Sequence, residues 1–235
     1  MSDKDNLVSI VIPTLQEEKY IGNLLSKLSR IDLNLEIIIV DGGSTDRTVD
    51  IARSFTDKVY VLKTRGIGRA RNYGASKASG DIIIFMDADA DPPPDFIKKV
   101  ISAFKRRHII GVTCNIMPKD ARPHELVFFK LYNLALFILS FFKPHSRGVF
   151  LAVRRDAFMR VGGFNEKLPC VEDHELVFRL SKINRVVFLR DLVIYESMRR
   201  FRKMGFLKVL KSWTVNYAWL VIFGRTVSRS WEPVR

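Results

Sequence analysis

The most informative pattern in the sequence is a short apolar run followed directly by a polar cluster, which occurs three times in the first half of the chain. The runs are LVSIVI (7–12), LEIIIV (35–40) and DIIIFM (81–86), and stretches with apolar residues at helical spacing separate them. Predominantly apolar runs of this length, without strict alternation, are typical of strands buried on both faces of a parallel sheet. The pattern therefore predicts an α/β fold, with a mostly parallel central sheet flanked by helices.

The polar clusters lie at 14–17, 41–46 and 87–91. Because parallel strands end at the same edge of a sheet, and ligands bind at that edge, the clusters predict a nucleotide pocket. Asp87, Asp89 and Asp91 are spaced two apart, so their carboxylates repel one another unless a cation lies among them. A solvated turn is the alternative interpretation, since Asp residues favour turns.

The second half of the chain is less regular. Residues 124–143 are nearly all apolar but are interrupted by Lys130 and Asn133. A membrane span needs about 20 apolar residues, so a buried or interfacial helix is the better prediction. Residues 171–182 predict a helix that starts with Glu172 and Asp173. Acidic residues are favoured at a helix N-terminus, and a simple cap is one interpretation of that pair.

Composition limits the partners. The 235 residues include 39 Lys and Arg against 25 Asp and Glu, a formal net charge of +14. This excess of positive charge indicates an anionic partner. The candidates are a nucleotide phosphate, a nucleic acid and a lipid surface. The two cysteines form no metal motif and no disulfide framework, which suits a reducing cytosol. The first residues do not have the pattern of a secretion signal.

Five segments together resemble the family 2 glycosyltransferases, inverting enzymes that use nucleotide sugars and have the GT-A fold. In chain order they are VSIVIPTLQEEKYIGNLL, IIIVDGGSTDRTVDIA, GRARNYGASKASGDIIIFMDADADPPPDF, VGGFNE and VEDHEL. They cover about residues 7–185. The acidic stretch is also similar to that of dolichyl-phosphate mannose synthases. The resemblance implies a Rossmann-like sheet and a metal-assisted transfer of sugar.

The resemblance also assigns roles to matching positions. Donor-binding residues would be Pro13, Thr14, Glu17, Asp41, Arg69, Arg71 and Asp87. A divalent cation, Mn²⁺ or Mg²⁺, would be held by the DxD residues Asp87 and Asp89, with Asp91 as an extra acid, because these ions prefer oxygen ligands. Asp173 matches the general base, and Glu172 and His174 are candidates on the acceptor side. Arg199 and Arg200 lie where processive synthases carry a QxxRW motif, and they are candidates for contact with the donor diphosphate. That motif is absent here, which favours transfer of a single sugar.

The predicted reaction moves one sugar from a UDP- or GDP-sugar to a hydroxyl of a glycan or a lipid-linked acceptor. A hydroxyl needs a carboxylate to take its proton, whereas a lipid phosphate does not. The alternative enzyme is a glycosyltransferase that acts on polyprenyl (dolichyl) phosphate. A non-enzymatic, basic nucleic-acid-binding protein is a further alternative, but it gives no reason for acids at three strand ends. No nucleic-acid partner is therefore expected.

We expect a nucleotide-sugar-binding half at 1–115, an acceptor-binding half at 116–196, and a basic amphipathic segment at 197–235. The last segment has nine basic residues, one acid and interleaved aromatic residues. One interpretation is a helix that packs its aromatic side chains on the domain. The other is an interfacial helix on an anionic leaflet. Together with 124–143, it predicts a peripheral contact with the cytoplasmic face of a membrane.

Overall fold

The computed structural model describes residues 7–228. Its elements are, in chain order, β1 (Val8–Thr14), α1 (Ile21–Leu28), β2 (Leu35–Asp41), α2 (Thr48–Arg53), β3 (Val59–Val61), α3 (Ile67–Lys77), β4 (Ile82–Met86), α4 (Phe96–Phe104), β5 (Ile109–Pro118), α5 (Pro123–Ser140), β6 (Phe150–Arg154), α6 (Arg155–Arg160), α7 (Glu172–Ser181), β7 (Arg185–Glu196), α8 (Arg199–Met204) and α9 (Phe206–Phe223). The strands form one sheet in the order β3-β2-β1-β4-β6-β5-β7.

The first four strands form the parallel half of the sheet, as the apolar runs predict. β1 pairs in parallel with β2 and β4, and β2 pairs in parallel with β3. Helices cover both faces. On one face, α1 and α4 bury their apolar sides against the even-numbered residues of β1, and on the other face α3, α6 and α7 pack against Val11, Val40 and Phe85. Burial on both faces explains why these strands are apolar without alternation.

The second half adds three strands to the same sheet. β6 runs antiparallel to β4 and to β5, and β5 pairs in parallel with β7. The apolar pattern predicts neither β5 nor β7, because polar residues such as Thr113 and Asn115 interrupt it. The boundary expected at residue 115 falls inside β5, so the two predicted halves share one continuous sheet.

The helix expected at 124–143 is present as α5. Glu125, Phe129, Asn133 and Leu136 form its buried side. The basic segment was expected to form C-terminal amphipathic helices, and it forms two, α8 and α9, with a break at Gly205. Gly205 has φ 87°, in the left-handed region that favours glycine and ends a regular helix.

A small apolar cluster of Phe129, Met198, Phe201 and Val209 joins α5, α8 and α9 to the sheet. Within residues 7–228, no helix is both long enough and apolar enough to cross a bilayer. Three charged residues of the predicted basic segment, Arg229, Glu232 and Arg235, lie outside the described residues.

Candidate active site

The three polar clusters meet at one edge of the sheet, because β2, β1 and β4 are neighbours in that order. The hydroxyl of Thr14, at the end of β1, donates to Oδ1 of Asp41, at the end of β2, over 2.9 Å. The other oxygen of Asp41 accepts from the amides of Gly43 and Ser44 at 2.9 and 2.7 Å. The buried carboxylate therefore fixes the shape of the loop that follows β2.

A cavity of about 510 Å³ opens beside this edge. It is lined by five carboxylates and four arginines, namely Asp87, Asp89, Glu172, Asp173, Glu196, Arg71, Arg147, Arg199 and Arg200. Aromatic and apolar side chains of α5 and α9 line its other end, among them Tyr132, Leu136, Trp213 and Tyr217. The fold thus brings the predicted DxD residues and the predicted base, which are far apart in sequence, into one cavity.

Arg71 connects the two acidic groups. Its side chain is 1% exposed. Nη1 donates to Glu172 over 2.7 Å, and Nη2 donates to Asp87 over 2.9 Å and to the carbonyl of Gly148 over 2.7 Å. Both Nη atoms are therefore used by protein oxygens. Arg71 was expected near the donor diphosphate, and its contacts in this structure hold the end of β4 against the start of α7.

The start of α7 carries local strain. Val171, directly before the helix, has φ 54°, which is rare for a β-branched residue. A conformation of this kind costs about 1–3 kcal/mol and is found mainly at functional sites. It turns the chain so that Glu172 and Asp173, both buried, face the cavity.

Asp173 and His174 each have one buried polar side-chain atom that lacks a hydrogen-bond partner among residues 7–228. These atoms are Oδ2 of Asp173 and Nδ1 of His174. An unpaired buried polar atom is costly, so both atoms are suited to receive a ligand group. Burial lowers the pKa of His174, although Asp173 opposes this effect, and a neutral imidazole is therefore favoured.

Two charged residues of the cavity were not found from the sequence. Arg147 forms an ion pair with Glu196, and its Nη1 donates to the carbonyl of Ile116 over 2.8 Å. Its guanidinium also lies 5.5 Å from the ring centre of Tyr132 and 5.4 Å from that of Trp213. Burial raises the pKa of Glu196, and Arg147 opposes this effect. Glu196 is the last residue of β7, so a correct strand prediction there would have placed it at the sheet edge.

His145 is a further unpredicted member of the cavity wall and is 5% exposed. Its Nδ1 lies 3.3 Å from the hydroxyl of Tyr217, on α9. Burial, with smaller contributions from His174 and Lys143, lowers the pKa of His145 to about 4. A neutral His145 thus connects the loop before β6 to the C-terminal helix.

Arg199 links the loops that follow β1 and β4. Nη1 and Nη2 donate to the two oxygens of Glu17 at 2.6 and 2.7 Å, and Nε lies 3.2 Å from Oδ2 of Asp89. Burial raises the pKa of Asp89 to about 7. Arg199 opposes this effect, and the nearby carboxylates of Asp87 and Glu17 reinforce it.

Asp91 and Arg69 lie away from the cavity lining. The carboxylate of Asp91 forms ion pairs with Lys27 and Lys119, and its amide donates to the carbonyl of Tyr195 over 2.7 Å. Asp91 therefore ties α1 and the end of β5 to β7. Arg69 pairs with Glu166 at 3.1 Å on an exposed surface.

The acidic pair at the end of β4 suits a cation that is shared with a ligand. Among residues 7–228, no group of three or more His, Cys, Asp or Glu side chains is placed to hold a metal ion. Mg²⁺ and related ions are commonly bound by one or two carboxylates together with water and substrate phosphates. The carboxylates of Asp87 and Asp89 fit a divalent cation of this kind, for which a bound diphosphate would supply further ligands.

Comparison of the sequence with known proteins identifies a matching protein family. The model of glycosyl transferase family 2 matches residues 9–162. A glycosyltransferase of Rickettsia typhi, described as uncharacterized, is 30% identical over 200 residues, which is 80% of this chain and 63% of the relative. The dolichol-phosphate mannosyltransferase of Pyrococcus furiosus is 37% identical over 112 residues, which is 45% of this chain and 32% of that protein. The chain thus spans less than two thirds of either relative.

Solved structures show the same fold. The mannosyltransferase PcManGT of Pyrobaculum calidifontis, in complex with GDP-Man and Mn²⁺, superposes with a TM-score of 0.69 at 22% identity, over 88% of this chain and 64% of that chain. TarS 1–349 of S. aureus, in complex with UDP-GlcNAc, gives a TM-score of 0.64 at 22% identity, over 82% and 58% of the two chains. These likenesses show that the sheet and its flanking helices have the GT-A arrangement.

Proposed function

The chain belongs to glycosyl transferase family 2, and from this premise we propose that it is a metal-dependent inverting glycosyltransferase that moves one sugar from a UDP- or GDP-sugar to a hydroxyl acceptor. The observation that carries the proposal is that Asp87, Asp89 and Asp173 face one cavity. Asp87 and Asp89 are suited to bind the cation of the donor diphosphate. Asp173 is suited to accept the proton of the attacking hydroxyl.

Asp173 is the proposed general base. Inversion in a single displacement requires a carboxylate that takes the proton of the acceptor hydroxyl as the oxygen attacks. The unpartnered Oδ2 of Asp173 is available for that hydrogen bond. Arg71 acts as a positioning residue, because its bonds to Glu172 and Asp87 fix the base relative to the donor side.

The part of the cavity that is proposed to bind the donor contains the cation-binding residues. Asp87 and Asp89 would hold Mn²⁺ or Mg²⁺, which neutralises the negative charge that the nucleoside diphosphate gains as the glycosidic bond breaks. Glu17 and Asp41 lie at the neighbouring strand ends, where the base and ribose would bind. The complexes of PcManGT with GDP-Man and of TarS with UDP-GlcNAc support both nucleotide classes as candidates.

The acceptor is proposed to be lipid-linked. The cavity extends from the acids to a gap between α5 and α9, where Phe128, Leu139 and Leu210 line it. The outer sides of both helices expose large apolar residues such as Leu131 and Ile222. An acceptor whose polar head reaches Asp173 can therefore leave its apolar chain in this gap. We propose that the protein contacts the cytoplasmic face of a membrane through these helices.

The test compares two variants with a matched control. The protein is incubated with Mn²⁺, a panel of UDP- and GDP-sugars, and either alkyl glycosides or polyprenyl phosphate, and products are identified by mass spectrometry. D173N should lower kcat by about 10²–10⁴-fold while donor affinity stays unchanged. D89N should weaken binding of the nucleotide with Mn²⁺ by at least tenfold, as measured by calorimetry. D191N, at an exposed acid on β7, should match the wild type.

Three results would contradict the proposal. Full turnover by D173N would remove Asp173 as the base. Turnover of polyprenyl phosphate alone, with a product that is cleaved by mild acid, would show that the acceptor is a phosphate and would replace the hydroxyl assignment. Retention of the donor anomeric configuration in the product, determined by NMR, would exclude single displacement.

A further inference from the structure

We propose that Arg199 competes with the divalent cation for Asp89, so that the cation binds together with the donor nucleotide and not ahead of it. This inference rests on the proposed function, because it concerns the order in which the same donor site is filled. Arg199 is the first residue of α8, so this helix would control the binding of the metal ion.

The contacts of Arg199 join two acids from separate loops. The guanidinium forms a bidentate ion pair with Glu17, in which Nη1 and Nη2 lie 2.6 and 2.7 Å from the two carboxylate oxygens. Its Nε lies 3.2 Å from Oδ2 of Asp89. The side chains are largely shielded from water, with exposures of 20% for Arg199, 7% for Glu17 and 13% for Asp89. Charge-assisted pairs of this geometry are stronger than exposed ones. The ring of Tyr20, 4.7 Å from the guanidinium carbon, supports the same position.

A divalent cation at Asp89 needs the carboxylate that Arg199 already contacts. Two cations beside one carboxylate repel each other, and this repulsion is strong where water is scarce. Binding of the cation alone therefore has to replace the contact between Arg199 and Asp89. The same reasoning applies in reverse, so Arg199 weakens the affinity for the cation.

A nucleoside diphosphate changes this balance. Its oxygens bridge to the cation and also offer a new partner to the guanidinium, whose planar fork matches phosphate geometry. Arg199 then exchanges a carboxylate for a phosphate while Asp89 turns to the cation. Cation and nucleotide thus assist each other's binding, and the coupling passes through one side chain.

α8 supplies the matched control. Arg202 lies three residues further along the same short helix, but it pairs with Glu125 of α5 and donates to the carbonyl of Asp120 over 2.9 Å. Arg202 is outside the cavity lining. Substitution of Arg202 removes the same charge from the same helix without touching Glu17 or Asp89.

The experiment measures Mn²⁺ binding to the whole chain by electron paramagnetic resonance of the free ion, with and without GDP or UDP. In the wild type and in R202Q, the nucleotide should tighten Mn²⁺ binding at least tenfold. R199Q should bind Mn²⁺ alone several-fold more tightly than the wild type, and the nucleotide should add much less. R199K keeps a cation at this position, so its affinity for Mn²⁺ alone should stay as weak as in the wild type.

Thermal melting shows whether each variant is folded. If R199Q does not fold, the affinity of R199K for Mn²⁺ alone still tests the proposal. Unchanged or weaker binding of Mn²⁺ alone by folded R199Q, with the nucleotide effect intact, would overturn the competition while the donor site stands. Tight binding of Mn²⁺ alone by R199K would overturn it as well. A wild-type protein that binds neither Mn²⁺ nor a nucleotide would refute the proposed function, and this inference with it.

Discussion

Glu36 is a buried carboxylate at the amino end of β2, opposite the edge that carries the cavity. It accepts hydrogen bonds from the hydroxyl of Ser9, the ammonium of Lys58, and the amide and hydroxyl of Ser79 at 2.8 and 2.9 Å. Burial raises the pKa of Glu36, but these bonds together outweigh it and hold the pKa at about 2. The carboxylate therefore stabilises the fold only while it is ionised.

The pH dependence of this contribution follows from the sign of the shift. A folded-state pKa below the unfolded value of about 4.5 gives stability that is present above pH 4.5 and is lost as the pH falls towards 2. E36Q should lower the free energy of unfolding by about 2–3 kcal/mol at pH 7, and the difference should shrink between pH 4.5 and pH 2. Urea denaturation at several pH values measures it. D57N, at an exposed acid, should change stability by less than about 0.5 kcal/mol, and a constant E36Q deficit down to pH 2 would contradict the argument.

Individual site residues differ in how well the sequence predicts them. Asp87 and Asp89, which line the cavity, were predicted because they directly follow an apolar run, and Asp173 because it lies at the start of a helix within a matching motif. Arg147 and Glu196 were not found, since their meeting depends on the order β6-β5-β7 and on pairing between distant segments. The contacts of Asp91 with Lys27 and Lys119 were missed for the same reason.

At the scale of elements, α3 packs against the sheet through a glycine. A Cβ added at Gly74 would lie 2.3 Å from Cγ1 of Val11 and 3.1 Å from Cγ2 of Val40. G74A should destabilise the protein by about 1–3 kcal/mol, because the helix has to move away from β1 and β2. The change is measured as a shift in the urea midpoint.

Gly22 of α1 is the control for this prediction. A Cβ there would make an ordinary contact of 3.4 Å with Ile51, and alanine favours the helix by about 0.5–1 kcal/mol. G22A should therefore be neutral or stabilising. Equal effects of the two substitutions would show that helix propensity, and not the close approach at Gly74, decides stability.

The elements of the first half were predictable because their signals are local. β1, β2 and β4 are short and predominantly apolar, and α1 buries the four residues that its spacing selects. β5 and β7 have polar residues among their apolar ones, namely Thr113 and Asn115 in β5 and Arg190 and Asp191 in β7, so their pattern is weaker. The break between α8 and α9 depends on the single positive φ of Gly205, which no periodicity reports.

At the scale of the whole molecule, the exposed apolar residues lie mainly on one pair of helices. Val127, Leu131, Leu134 and Ile138 recur at helical spacing along the outer side of α5, and Phe141 and Phe142 follow it, 70% and 87% exposed. α9 exposes Leu207, Ile222 and Phe223. Lys130, Lys208 and Lys211 are exposed on the same helices, and α9 contains no acidic residue. Apolar side chains interleaved with cations fit an anionic lipid surface.

This surface predicts reversible binding to anionic vesicles. The protein should sediment with vesicles of phosphatidylcholine and phosphatidylglycerol, and less with phosphatidylcholine alone, because each basic residue near the surface contributes about 1 kcal/mol. Added salt should weaken the binding. The double substitution F141S/F142S should lower the partition coefficient by at least about tenfold, since burial of one such ring contributes about 1.5–3 kcal/mol.

Phe55 provides the control, because it is also an exposed phenylalanine but lies at the end of α2, on another part of the molecule. F55S should bind vesicles as the wild type does. If F141S/F142S bound equally well, the paired helices would not be the lipid-facing surface. A gap that opens between α5 and α9 towards the bilayer would then have no role in admitting the acceptor, and a water-soluble glycan would become the better substrate. The same vesicle measurement therefore tests the lipid-facing surface on which the proposal of a lipid-linked acceptor depends.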